Sequence, residues 1–142
     1  MKKRKSFKTL IKLQKTLVDE QRQLLARLYD YQEKIEAQIA QFQIMKIKEQ
    51  ELAAKNPALK LTYGAFVKAL VVKERELENE RQRAALAIKI AQDKLAELFE
   101  EQKRYEIAEE QRLEEEAKEE RRLETIMLDE VGGVMHERER RG

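Results

Sequence analysis

The sequence predicts an all-α fold, a long antiparallel two-helix coiled-coil hairpin with an overhanging second helix. Three observations predict it. Apolar residues recur by fours and threes in two long runs, separated by a single Asn56-Pro57. Of 142 residues, 41% are Asp, Glu, Lys or Arg, with four Gly, one Pro and no Trp, the profile of a long helix rather than a layered globule. The rhythm holds over about six heptads in each run, longer than an ordinary amphipathic helix needs.

The first helix is expected from about residue 6 to 55. Ser6 offers a hydroxyl cap, and Pro57 pushes the residue before it out of helical geometry. Its expected seam is Leu10, Gln14, Leu17, Gln21, Leu24, Leu28, Tyr31, Ile35, Gln38, Phe42, Met45, Glu49 and Leu52, nine of the thirteen apolar. A link follows over about 56–61. Asn56 as cap with Pro57 in the first turn is one start for the second helix; Thr62, with an irregular link before it, is the preferred one.

The second helix is expected over about 62–131, with Gly132-Gly133 as its stop and 132–142 as a mobile tail. Its expected seam runs Tyr63, Val67, Leu70, Glu74, Leu77, Arg81, Ala84, Ile88, Ala91, Leu95, Leu98, Gln102, Tyr105 and Glu109, ten of the fourteen apolar. A short connection makes the arms antiparallel neighbours, with Leu52 near Tyr63 and Gln14 near Gln102 as a polar layer. Beyond about residue 110 the second arm has no partner, and its apolar periodicity fades. Helix propensity and acid–base pairs such as Glu114–Lys118 are left to hold it.

Charge is segregated. Residues 1–96 carry 21 Lys and Arg against 12 Asp and Glu, while residues 97–124 carry 6 against 12. Such separation favours oriented docking on a charged partner, and the acidic block argues against nucleic acid. No aromatic residue interleaves Lys2–Lys5, so base stacking has no platform there. The basic start reads as a solvating tail, a contact for an acidic protein surface, or one for anionic lipid or RNA, in that order. No stretch approaches the ~18 uncharged apolar residues of a membrane span. The chain has no cysteine, which removes disulfides, CxxC redox pairs and thiolate metal sites.

The pattern is that of a non-enzyme with no cofactor and no metal. Catalysis needs a concave site with positioned polar groups. The one histidine, His136, lies in a Gly-flanked charged tail with nothing to orient it. Glutamate pairs such as Glu106–Glu110 and Glu116–Glu120 read as solvated faces, because a cation cage needs ligands from a second element. No phosphate-cradling Gly-rich loop or nucleophile elbow is present. The strongest binding feature is the start of the second arm, where Phe66 and Val71 fall beside the seam and are expected to stay partly exposed. The alternative is that Leu59 and Leu61 fold back over Phe66.

Three segments carry a family resemblance: Phe7-Lys-Thr-Leu10-Ile-Lys-Leu13 at the start, Tyr63-x-x-Phe66-Val67-x-x-Leu70 after the link, and Glu124-Thr-Ile-Met-Leu128-Asp129-Glu130-Val131 near the end. With the overall layout they resemble the FliJ family, coiled-coil proteins of the bacterial flagellar type III export apparatus. The resemblance covers essentially the whole chain. It implies a cytoplasmic stalk, peripherally associated with the inner membrane at the flagellar base. Its implied partners are the hexameric export ATPase, the cytoplasmic domain of the export-gate membrane protein and export chaperones. It implies Tyr63, Phe66, Val67 and Leu70 as the gate contact, and Lys2, Lys3, Arg4, Lys5 and Lys8 with the overhanging second arm as the ATPase-ring contact. Gly132-Gly133 departs from the family layout. The competing reading is a generic coiled-coil adaptor or prefoldin-like holdase.

Overall fold

The computed structural model describes residues 6–141, and of 59–61 the backbone alone. Helix α1 spans Lys8–Lys55, a 3-10 turn spans Pro57–Leu59, and α2 spans Lys60–Arg141. No strand occurs among the described residues. The all-α two-helix hairpin is therefore the fold.

The link differs from the preferred expectation. It is a single 3-10 turn, and α2 begins at Lys60 rather than Thr62. The Asn56 backbone N–H still donates to Leu52 at 3.1 Å, and its side-chain oxygen accepts from the Ala58 N–H at 3.1 Å. Pro57 has no N–H to satisfy and a φ already suited to a first turn. The cap at Asn56 thus takes precedence over Thr62.

The far end is corrected as well. Gly132 and Gly133 do not stop α2, which runs on to Arg141. Neither adopts a positive φ. Glycine costs a helix roughly 1 kcal/mol relative to alanine, and the Glu- and Arg-rich turns that follow favour helix enough to carry it through. No tail separates from the helix among residues 132–141.

The chain divides into two compact units, Leu17–Glu97 and the pair of segments Met1–Thr16 with Leu98–Gly142. In the first, the hairpin unit, both arms flank the turn. The α2 side buries Leu70, Leu77, Ala84, Ile88 and Ala91, as the heptads predict. Arg81 is the exception: it is exposed and pairs with Glu78 on its own helix at 2.9 Å.

The α1 side is turned from its expected register. Val18 and Ile35 are 2% exposed and Ala53 is buried, whereas Leu17, Leu24, Tyr31, Met45 and Leu52 are exposed by about a third to a half. The α1 seam therefore steps by four from Gln21 to Leu25 and by three to Leu28, where the sequence reading stepped by three and then four. At Leu17–Val18, Leu24–Leu25 and Leu52–Ala53 both flanks are apolar, so spacing alone cannot choose between them there. Cross-helix contacts choose. Ile39, where the expected register has Gln38, packs with Phe66 against the Phe42–Leu70–Leu77 cluster. Phe42 and Gln21, whose amide donates to the Ala91 carbonyl at 3.1 Å, serve both registers.

In the second, the terminal unit, Phe7 and Ile11 are half-buried beside buried Gln14, while Leu10, expected in the seam, is 42% exposed. Gln14 does not pair with Gln102. Its amide donates to the Leu98 carbonyl at 3.0 Å, and Gln102 donates to Glu106 on its own helix at 3.0 Å. From Arg121 to Arg141 every residue of α2 is exposed.

Candidate functional site

Two places collect specific side chains, one in each unit. In the hairpin unit, the first turns of α2 bring together the aromatic motif. Tyr63 and Phe66 lie one helical turn apart, their ring centroids 6.3 Å apart and tilted by 35°, within the range of favourable aromatic pairs. Both are half-buried. Beside them opens a groove of about 320 Å³ lined by Glu49, Ala53, Thr62, Tyr63 and Phe66. A groove of that size lies at the small end of the range of binding pockets.

Of the four expected contact residues, the structure keeps three accessible. Tyr63, Phe66 and Val67 are half-buried, while Leu70 is 4% exposed and serves the core. Phe66 is less free than its off-seam position suggests, because it packs against the Phe42–Leu70–Leu77 cluster. The expected exposed apolar surface lies just beyond it, at Val71 and Val72. The Leu59 and Leu61 side chains, expected as a possible cover, lie outside the described structure.

One turn further along, Glu74 accepts from the Gln43 amide at 3.0 Å and from the Lys46 ammonium at 3.4 Å. These contacts hold its carboxyl below the ordinary range, the Gln43 hydrogen bond most of all. A charged layer at this seam level supplies direction rather than much stability.

In the terminal unit, the start of α1 is held by a carboxylate of α2. The Phe7 backbone N–H donates to Glu109 Oε2 at 2.7 Å, and the Ser6 hydroxyl to Oε1 at 3.2 Å. The Lys8 N–H donates to Ser6 Oγ at 3.2 Å, so Ser6 does cap α1 as its position predicts. Arg112 grips both Glu109 oxygens, at 2.6 and 3.2 Å, and reaches Glu116 at 2.8 Å. Glu109 is only 7% exposed, and Arg112, then the Phe7 N–H, hold its carboxyl down to about 2. A negative charge at a helix start also meets the positive end of the helix dipole.

Sequence reading placed Glu109 in the seam but missed this role. The signal was available as a glutamate three residues before an arginine, at the level where the first arm begins. Of the expected ring-contact residues, Lys8 is exposed, and Lys2, Lys3, Arg4 and Lys5 lie outside the described residues. His136 is exposed on α2. Among the described residues no three His, Asp or Glu side chains converge as a metal site, and no helix is long and apolar enough to cross a membrane.

No family model matches the chain, no curated protein matches it, and no solved structure matches it.

Proposed function

We propose that this chain is a non-enzymatic, stalk-like component of a bacterial flagellar protein export apparatus. It docks in the ring of the hexameric export ATPase and couples that ring to the membrane export gate and to export chaperones, working in the cytoplasm at the inner-membrane base of the flagellum. The observation that carries the reading is the aromatic pair Tyr63–Phe66, set beside an open groove at the turn end of the hairpin unit where the resemblance puts a gate contact. The charge segregation along the chain supports oriented docking at the other segments.

The mechanism is allosteric. A pair of helices has no six-fold symmetry, so inside a hexameric pore it meets the subunits unequally and biases which one is closed. It does so only through different affinities for the subunit states. The test is ATPase activity of the cognate export ATPase with and without the protein, and with Phe66→Ala. Stimulation by both forms supports a stalk whose ring contact lies away from Phe66. Loss only in the variant moves the ring contact to the aromatic motif. Absence of stimulation and of co-elution overturns the proposal.

A second reading, a coiled-coil adaptor or holdase, is favoured by one observation. Leu17, Leu24, Tyr31, Met45 and Leu52 form an exposed stripe at multiples of seven residues along α1. Protection of unfolded clients from aggregation without ATPase binding would select it.

A further inference from the structure

The final third of α2 carries an apolar face that none of the described residues covers. Leu123, Ile126, Met127, Val131 and Val134 fall at i, i+3, i+4, i+8 and i+11, one side of a helix, and are 41–64% exposed. In so charged a chain this is a concentrated apolar patch, the kind of surface that marks an interface. The two glycines beside it do not interrupt the helix, so the face runs on past them with Glu130 its one charged member.

The charges flanking the patch say what covers it. On its N-terminal side, residues 114–120 carry Glu114, Glu115, Glu116, Glu119 and Glu120 against one lysine, Lys118. On its C-terminal side, residues 138–141 carry three arginines against one glutamate. The order acidic, apolar, basic is complementary to itself only when reversed. Parallel copies would stack acid on acid.

We infer that α2 pairs antiparallel with α2 of a second copy of this chain, about a two-fold axis between Leu128 and Asp129. In that register Leu123 faces Val134 of the second copy and Ile126 faces Val131. Arg138 comes level with Glu119, Glu139 with Lys118, and Arg141 with Glu116, while Glu120 comes level with Glu137. The overlap runs over residues 116–141, roughly 40 Å of helix at 1.5 Å per residue. The interface is isologous and closes on itself, so it yields a dimer rather than a filament. Glu116 and Glu119 are already oriented by Arg112 and Arg122 of their own helix, which fixes the acidic side before the second copy arrives. The inference does not depend on the proposed export role.

The absence of cysteine permits a direct test on the full chain. Leu123→Cys and Val134→Cys chains are mixed under mild oxidation and their sedimentation is followed. Antiparallel pairing gives the mixed disulfide dimer and little of either homodimer, because two copies of Cys at 123 would sit roughly 16 Å apart, beyond disulfide reach. Met127→Glu weakens dimerisation at least about tenfold, a loss of ~1.4 kcal/mol, while far-ultraviolet circular dichroism of the hairpin stays unchanged. Homodimer cross-links instead of the mixed one, a wild-type monomer at the concentrations used, or a dimer indifferent to Met127→Glu would each overturn the inference.

Discussion

Whether α1 faces its partner with Val18 or with Leu17 can be decided by two neighbouring substitutions. Val18→Glu puts a carboxylate where the side chain is 2% exposed. It forfeits about 1.5–2 kcal/mol of apolar burial and leaves a charge with no partner in the seam, worth about another 3 kcal/mol. The sum, roughly 5 kcal/mol, rivals the entire stability of a small domain. Leu17→Glu acts where the side chain is 36% exposed, so about two thirds of a leucine's burial is lost and the carboxylate reaches water, a cost of about 1–2 kcal/mol. Urea unfolding followed by circular dichroism measures both. Val18→Glu is expected to abolish the cooperative transition or shift it far below the wild type, with Leu17→Glu only modestly destabilised. Equal losses, or a larger loss at Leu17, would refute the register.

Acid should open the terminal unit first. The folded pKa of Glu109, about 2, lies below the ordinary 4.5, so its stabilisation is complete above about pH 4.5 and is lost as pH falls toward 2. Hydrogen exchange at the Phe7 amide should report that loss, and in Glu109→Gln the acid dependence of this amide should vanish. Gly132→Ala and Gly133→Ala add a Cβ that meets nothing within 4 Å and should each strengthen the helix by about 1 kcal/mol, read as higher helix content and slower exchange over 128–137. Phe66→Ala removes a half-buried ring packed on the core cluster and should cost about 1–2 kcal/mol in urea unfolding while leaving the helices formed. Under the proposed function it should also weaken binding to the export gate, and unchanged gate binding would remove Phe66 from that contact.

Much of this fold was legible because a coiled coil writes its partner-facing side into a repeat. The α2 seam could be read almost position by position: Leu70, Leu77, Ala84, Ile88 and Ala91 are buried where the heptads place them. On α1 the stripe is broader, with Leu17 beside Val18 and Leu24 beside Leu25, and periodicity has no means of breaking that tie. The information lies in the other helix, in the cluster around Leu70 and Leu77 that Ile39 meets there. Gly132-Gly133 misled for a different reason. A glycine pair is a stop only where the chain gains something by turning, and here the next turns favour helix. At the sites, the aromatic pair was visible as a motif, whereas the Glu109 clasp left only an indirect signal, Arg112 three residues on, because it joins residues about a hundred positions apart.

The glutamines in the two units share one property with a mechanical consequence. Gln14 and Gln21 are seven residues apart, and so are the carbonyls they engage, at Leu98 and Ala91. A backbone carbonyl is present at every residue and keeps a second lone pair for such a bond. These teeth would therefore mesh equally well after a slide of one heptad, and substitutions at Leu98 or Ala91 would not blunt them. What forbids the slide is aperiodic: the tight Asn56–Leu59 turn and the grip of Glu109 on Ser6 and Phe7. Within either unit, helices under shear would be expected to resist, release and re-engage in steps of two helical turns. The latch of that unit, the turn in one and Glu109 in the other, rather than the glutamine tooth, would set the force of the first step.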